Sequence, residues 1–189
     1  DKDGNPATYE ELLARADTDT AAQIESEKLA ARYAAAMSNL EKIRRTIHDA
    51  ALDTLIVVGD DQGELHGEGN MPCILIYRGE TIANVPPPPN PNRPEWARRL
   101  SAKYFEETTP RDYPVDAKLA HHLIDTLMEH EFDIACANSL EPGQGEGHAF
   151  GFVHNRLLQG EAPPVVPVFM NTYFPPNQAS PRRCYRLGQ

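Results

Sequence analysis

Cysteine and long apolar runs are both scarce in this sequence. Its three cysteines, Cys73, Cys136 and Cys184, are widely separated and form no Cys-x-x-Cys pair, which argues against a zinc site or a redox dithiol. Uninterrupted apolar runs such as residues 55–58 are far shorter than the ~20 residues that a membrane-spanning helix needs. We therefore expect no membrane segment and a cytoplasmic location.

Basic residues are also in short supply. Eighteen lysines and arginines stand against 28 aspartates and glutamates, which gives a formal net charge of −10. Basic side chains adjoin only in short clusters, such as Arg98 with Arg99 and Arg182 with Arg183. A protein that binds phosphate backbones needs a dense basic patch, so we expect no nucleic-acid partner.

What the chain does have is enough apolar sequence for one folded domain. It has 189 residues, of which 40% are hydrophobic and 24% charged, a composition typical of globular domains. Apolar periodicity predicts helices at residues 9–16, 26–51, 95–105, 115–130 and 149–158, and strands at 55–58, 73–77, 81–85, 132–137 and 165–173. This alternation predicts an α/β fold, a central mostly parallel sheet flanked by helices, in a single domain over residues 1–189. We expect the chain to be a fragment, truncated at both ends.

Two apolar strands carry more specific expectations. Residues 55–58 are apolar at every position, which predicts a central strand that is buried on both faces. Cys73 and Cys136 lie within apolar strand segments, so we expect both to be buried structural thiols. The proline-rich segment 86–94 is expected to be an extended surface connection.

Polar clusters follow three of the predicted strands. They are residues 60–66, with Asp60, Asp61 and Gln62; residues 146–148, with Glu146 and His148; and residues 171–173, with Asn171 and Tyr173. Ligands of open α/β sheets bind beyond the carboxyl ends of the strands, so we expect the three clusters to face one shared edge. The alternative interpretation of Asp60 and Asp61 is that they cap the turn that follows.

Histidine is the residue type that can ligate a metal or transfer protons near neutral pH. His148 follows a glycine in a loop where the backbone can approach a ligand closely, so it is the strongest candidate. His154 is expected to be a packed or surface residue, and His121 and His122 to be solvent-exposed on their helix. The loop 143–147 lacks the Lys-Ser/Thr of a P-loop and does not fit Gly-x-Gly-x-x-Gly, which argues against nucleotide binding.

The order and spacing of several segments carry a family resemblance. They are residues 55–62, Asn70-Met71-Pro72, residues 118–135, Gly147-His148, residues 165–176 and residues 183–188. In these segments the chain resembles the catalytic (beta) subunit of class III extradiol ring-cleavage dioxygenases, of the protocatechuate 4,5-dioxygenase type. The resemblance implies a single α/β domain and a non-haem Fe(II) held by two histidines and one carboxylate. It also implies that O2 opens the ring of a catechol-type diol beside its hydroxyl groups.

The family's site residues transfer unevenly to this sequence. Its second iron histidine corresponds to Gln62, while its other iron ligands and its acid/base histidine fall outside the chain. One possibility is that Gln62 contacts the substrate or supports another iron ligand. The other is that Asp61, Glu64 or His66 takes the place of the missing histidine as an iron ligand. We take Gln62 and Asp61 as the metal candidates. His148 corresponds to a family histidine near the substrate oxygens, and we take it as the catalytic residue. Asn171 and Tyr173 are the expected substrate-binding residues.

Three functions follow, in order of preference. The first is an Fe(II)-dependent extradiol dioxygenase whose partners are a small aromatic diol and O2. We expect it to be an oligomer, and the sequence leaves open whether a small second subunit is part of it. The 189-residue chain alone is expected to bind Fe(II) weakly and to lack ring-cleavage activity. The second is a non-catalytic binding module on the same scaffold, suggested by Gln62, and the third is a hydrolase that uses Asp60 or Asp61 with His148.

Overall fold

Helices alternate with short strands along most of the chain, as the periodicity predicts. A computed structural model describes residues 5–67, 69–88, 90–92 and 94–189, and its contacts divide the chain into two units, Asp1–Asp49 and Ala50–Gln189. The helices are α1 (Tyr9–Arg15), α2 (Thr18–Gln23), α3 (Ser26–Asp49), α4 (Glu95–Ser101), α5 (Ala117–Glu129), α6 (His148–Gly151) and α7 (Pro181–Leu187), with a π-helix (Phe152–Leu157) after α6. The strands are β1 (Leu55–Asp60), β2 (Ile74–Tyr77), β3 (Thr81–Asn84), β4 (Arg111–Pro114), β5 (Ala135–Ala137) and β6 (Val165–Met170).

The first unit is helical. Thr8 caps α1, and its hydroxyl and the Glu11 carboxylate form a reciprocal capping box. Helix α3 ends two residues before the predicted boundary at residue 51, while α2 was not predicted. None of the helices in the described part of the chain is both long enough and apolar enough to cross a bilayer.

The second unit contains the central sheet, with strand order β1-β6-β2-β5. Strand β1 runs parallel to β6 in a register that extends from Leu55 opposite Val165 to Asp60 opposite Met170. Strands β2 and β5 are also parallel, whereas β2 and β6 are antiparallel. The predicted α/β fold with a mostly parallel sheet is therefore confirmed.

The predicted central position of the strand at residues 55–58 is wrong. Strand β1 lies at the edge of the sheet, and β6 is its one partner among the described strands. Its burial alternates, with Ile56 48% and Val58 59% exposed on one face. An unbroken apolar run indicates a strand, but it does not show how many other strands lie beside it in the sheet. The sequence pattern therefore did not distinguish an edge strand from a central one.

The prediction that three strand ends share one edge is correct for two strands and wrong for the third. Strands β1 and β6 are parallel, so their carboxyl ends meet. Strand β5 is parallel to β2, which is antiparallel to β6, so β5 ends at the opposite edge. The loop after β5 then returns, because Glu146 N–H donates to the Ala83 carbonyl at 2.8 Å and His148 reaches the loop after β1.

The core lies on both faces of the sheet. One cluster is centred on Tyr77, Ile82, Tyr113, Phe150 and Phe169, and the other on Ile74, Ile76, Ile124, Phe132 and Val168. Helix α5 packs on the second face through Leu119, Ala120, Leu123, Ile124 and Leu127, whereas Met128 at its end is exposed. The expectation of buried thiols is wrong for Cys136, which is exposed, and Cys73 is only half-buried.

A second, two-stranded sheet joins β3 to β4 in antiparallel pairing, from Thr81 opposite Pro114 to Asn84 opposite Arg111. Strand β4 was not predicted, because its sequence Arg-Asp-Tyr-Pro contains no apolar run. Its Tyr113 side chain is nevertheless only 2% exposed, and its hydroxyl lies 2.8 Å from Asn155 Oδ1 and 3.1 Å from Glu106 Oε1. This pairing brings a tyrosine ring into the core behind β3.

We expect Tyr113 to make the stability of the fold sensitive to alkaline pH. Burial and the hydrogen bond to Glu106 raise the pKa of Tyr113 to about 12, against about 10 for a tyrosine in an unfolded chain. Between these values the folded state holds one proton more, so the free energy of unfolding falls as pH rises from about 10 to about 12. Urea denaturation at pH 9 and 11 should show a steeper decrease for the wild type than for Tyr113→Phe. Equal decreases would contradict this assignment.

Candidate active site

Asp61 organises the loop that follows β1. Its carboxylate is buried (3% exposed) and accepts the backbone N–H groups of Glu64 at 2.8 Å, Leu65 at 3.1 Å and His66 at 2.7 Å. Both carboxylate oxygens are thus engaged by the backbone, which confirms the alternative interpretation that Asp61 caps the turn after the strand. The loop therefore has a fixed shape, and this shape sets the position of Glu64.

Gln62 follows Asp61 and is exposed. Its side-chain amide donates to Asp60 Oδ2 at 3.2 Å. Gly63 beside it has a φ of +79°, and a Cβ there would lie 3.6 Å from Phe174 Cζ, so the loops that follow β1 and β6 are in contact. The structure thus brings the first and third polar clusters together, as the parallel pairing of β1 and β6 requires.

His148 and Glu64 form the central pair of the site. Glu64 Oε2 accepts the His148 backbone N–H at 2.8 Å and lies 3.0 Å from His148 Nδ1. The two side chains are 30% and 35% exposed, so a ligand can reach them. The ring of Tyr104 meets the His148 ring edge-on, with a centroid distance of 6.5 Å. Because Nδ1 faces the carboxylate, Nε2 is the ring nitrogen that remains to meet a ligand.

A cavity of about 380 Å³ is lined by Glu64 and by Gly147, the residue that precedes His148. Two of its lining residues, Glu64 and Gln144, have polar side chains. The others come from the proline segment, the glycine loop and apolar positions: Leu65, Val85, Pro86, Pro87, Pro88, Phe105, Gly143, Gly145 and Gly147. Cavities of this size, with apolar walls and few polar groups, are typical of small-molecule sites. A single aromatic ring is a chemically suitable occupant.

A second cavity, of about 490 Å³, lies on the other side of Leu65 and Gln144, which line both cavities. His66 lines it and meets the Phe169 ring edge-on at 6.0 Å. Burial lowers the pKa of His66, and the nearby Asp61 carboxylate opposes this shift only in part. His66 is therefore neutral at pH 7, with a ring nitrogen able to accept a hydrogen bond.

The two predicted substrate-binding residues lie in the turn after β6. Asn171 is 2% exposed; its Nδ2 donates to the Phe174 carbonyl at 2.8 Å, and its Oδ1 accepts the N–H groups of Phe174 and Tyr173. Tyr173 is 61% exposed. Within the described residues, no hydrogen bond or ring contact connects either side chain to His148 or Glu64. Asn171 therefore has a structural task, and contact of either residue with a substrate stays a prediction.

The metal candidates form no ligand set by themselves. In the part of the chain that the structure describes, no group of three or more histidine, cysteine, aspartate or glutamate side chains is placed to hold a metal ion. The Asp61 oxygens already accept three backbone N–H groups, and Gln62 offers only an amide oxygen, a poor Fe(II) ligand beside imidazole. These residues therefore do not fit an iron site on their own, and the iron ligation of Gln62 and Asp61 stays a prediction.

The sequence indicates His148 as a candidate but gives no indication that Glu64 is its partner. Glu64 was considered only as a substitute metal ligand, and Tyr104 was not considered. The available signal was Gly147, whose φ of +79° and lack of a side chain allow a carboxylate to approach the N–H of the next residue. That signal predicts a close approach at His148, but it does not identify which carboxylate makes it.

Gly147 and Gly143 offer a matched test of this approach. Both have positive φ (+79° and +82°), but a Cβ on Gly147 would lie 2.8 Å from Glu64 Oε2, whereas one on Gly143 would meet open space. We expect Gly143→Ala to lose about 1 kcal/mol of stability from backbone strain. Gly147→Ala should lose about 1–2 kcal/mol more, because Glu64 must leave the His148 N–H and because the Gly147 ψ of 167° adds backbone strain. Urea denaturation measures both values, and equal losses would show that the Glu64 contact adds nothing.

Comparison with known proteins supports the coarser part of the family resemblance. No protein-family model matches the chain. A segment of 75 residues is 36% identical to the 2,3-dihydroxyphenylpropionate/2,3-dihydroxicinnamic acid 1,2-dioxygenase of Comamonas testosteroni. The match covers 40% of this chain and 23% of the length of that relative. It supports a relationship to dioxygenases of aromatic diols, while the narrower resemblance to the protocatechuate type stays a prediction.

Proposed function

We propose that the protein carrying this chain is a dioxygenase that opens the ring of a small aromatic diol. The observation that carries the proposal is the 36% identity over 75 residues to a dioxygenase named for two dihydroxyphenyl substrates. The pairing of His148 with Glu64 beside an apolar cavity of about 380 Å³ supports it. The extradiol position of cleavage, the Fe(II) cofactor and the protocatechuate-type assignment belong to the proposal through the resemblance.

The geometry supports the proposal that His148 accepts and donates a proton. The Glu64 carboxylate, 3.0 Å from Nδ1, favours the tautomer that carries the proton on Nδ1 and leaves the Nε2 lone pair free. Nε2 can then accept a proton from a diol hydroxyl group, and Glu64 stabilises the imidazolium that forms. Leu65, Val85 and Phe105 line the adjacent cavity, where an aromatic ring would displace water.

The experiment that tests the function is oxygen uptake by the protein expressed from its complete reading frame and supplied with Fe(II). We expect uptake of one O2 per molecule of 2,3-dihydroxyphenylpropionate or protocatechuate, with a yellow ring-opened product. The control substrate, 3-hydroxyphenylpropionate, has one hydroxyl group and should cause no uptake. A protein that retains iron and binds diols, but consumes no O2 with any of them, would be a binding module and not the proposed enzyme.

The cytoplasmic location, the oligomeric state and a small second subunit stay predictions. The name of the relative gives its substrates and its reaction, and it says nothing about location or assembly. Size-exclusion chromatography with light scattering would determine the oligomeric state of the complete protein. Co-purification with a small second polypeptide would establish the subunit.

A further inference from the structure

A buried polar network lies directly behind His148. Glu146 and His154 are each 1% exposed, and Asn84 is fully buried. Glu146 Oε2 lies 2.7 Å from His154 Nδ1, and Glu146 Oε1 accepts from Asn84 Nδ2 at 2.7 Å. The expectation that His154 is merely packed or exposed at the surface therefore missed its pairing with a buried carboxylate. None of these three residues belongs to the His148–Glu64 pair.

This network is costly for a purely structural element. His154 Nε2 is buried and has no hydrogen-bond partner among the described residues, and the ring is stacked on Tyr113 at a centroid distance of 3.9 Å. An unpaired buried nitrogen and a buried carboxylate both oppose folding, and apolar replacements of such pairs are often neutral or stabilising. Packing of the core alone would be served better by apolar residues at these positions.

The conformation around His154 is also unusual. The segment Phe152–Leu157 is a π-helix, a rare conformation that occurs frequently at functional sites. It continues directly from α6, the short helix that begins with His148. The π-helix thus turns the His154 side chain inward to Glu146 while α6 presents His148 to Glu64.

The network is connected to His148 in two ways, through the chain itself and through Tyr104. In the first, Glu146 precedes His148 by two residues, and its backbone N–H donates to the Ala83 carbonyl at 2.8 Å. In the second, Asn84 Nδ2 donates to the Tyr104 carbonyl at 3.0 Å, and the Tyr104 ring meets the His148 ring edge-on. Asn84 therefore fixes the segment that packs on one side of His148, while Glu146 fixes the backbone that carries it.

We propose that Glu146 and His154 are positioning residues, which hold the loop before α6 so that the His148 backbone N–H and Nδ1 both face Glu64. The consequence for turnover rests on the proposed function, but the positioning itself does not. Nδ1 of His154 is the essential donor, because Glu146 would otherwise be a buried carboxylate held by Asn84 alone. The stacking of His154 on Tyr113 orients this donor.

Two substitutions of His154 separate the donor from the stacked ring. His154→Phe keeps an aromatic ring against Tyr113 and removes the donor. His154→Asn loses the ring but places an amide N–H near the position of Nδ1. A positioning role predicts that the asparagine variant retains the wild-type arrangement of His148 and that the phenylalanine variant does not. If His154 served core packing alone, the phenylalanine variant would retain the arrangement of His148 and the asparagine variant would not.

The first measurement is hydrogen exchange of the His148 backbone amide, observed by NMR. This N–H donates to Glu64, so its exchange rate reports the position of the loop independently of any reaction. We expect His154→Phe to raise the rate by about tenfold, the loss expected for one hydrogen bond, and His154→Asn to leave it within about twofold. The amides of β6 provide the reference and should not change. Should His154→Phe fail to fold, Glu146→Leu removes the acceptor instead, with the same expected rise.

The second measurement is turnover of the diol by the same variants. We expect His154→Phe to lower kcat with little change in KM and His154→Asn to restore it, because the apolar walls Leu65, Val85 and Phe105 lie outside the loop that moves. If the wild type turns over no diol, the proposed function fails while the exchange measurement still decides the positioning role. That role is refuted if His148 exchange in His154→Phe is unchanged, if it rises together with the β6 amides, or if asparagine gives no rescue.

Discussion

Replacing His148 by alanine is expected to lower the turnover of an aromatic diol by about 10²–10³-fold, the effect typical of removing one group that stabilises developing charge. The physical reason is the pairing of Nδ1 with Glu64, which leaves Nε2 to take a proton from the diol. The backbone N–H of residue 148 still donates to Glu64 in the variant, so the loop keeps its anchor. We therefore expect almost unchanged thermal stability and iron content.

The matched control is His121→Ala. His121 is exposed on α5, where its Nδ1 lies 2.7 Å from the Ala117 carbonyl and its Nε2 lies 3.3 Å from Arg78 Nη1. It is remote from the Glu64 pair in these contacts, so its removal should change neither turnover nor iron content. Steady-state oxygen uptake and metal analysis of both variants provide the comparison. If both variants behave alike, or if His148→Ala loses its iron, then His148 does not have the role proposed here.

The elements of the fold that were predicted well are those whose pattern is local. Helices α3 and α5 carry apolar side chains at steps of three and four, and their bounds agree with the prediction to within two residues or so. Strand direction is not local: β5 is antiparallel to β1 and β6, although all three begin as short apolar runs. The pairing partner decides direction, and a single sequence does not identify that partner.

The same division applies to the site. His148 could be predicted because a glycine precedes it in the chain, but Glu64 lies 84 positions away and becomes its partner only through the returning loop. The burial of Glu146 and His154 gave no sequence signal, since charged and polar residues in a loop and a short helix are typically exposed. For Asp61 the sequence left a metal ligand and a turn cap open; the structure shows the turn cap, and metal ligation by Asp61 stays a prediction.

Asp61→Ala is the change for which we expect the largest loss of stability at the site. The substitution removes the acceptor of three backbone N–H groups, those of Glu64, Leu65 and His66. Part of this loss is recovered by water, since Glu64 lies in an exposed stretch, so we expect a decrease of about 2–4 kcal/mol in the free energy of unfolding. Urea denaturation of the metal-free protein measures it.

Asp60→Ala is the control, because Asp60 is the adjacent carboxylate and its described hydrogen bond is one contact with the exposed Gln62 amide. Its effect on stability should stay below about 0.5 kcal/mol, as for other surface substitutions. The metal-free condition separates the two roles of Asp61. Removing a turn cap destabilises the protein with or without iron. Removing a metal ligand changes stability only when iron is present. If Asp61→Ala leaves the metal-free protein as stable as Asp60→Ala does, and weakens Fe(II) binding alone, then the carboxylate serves the metal and our structural assignment is wrong.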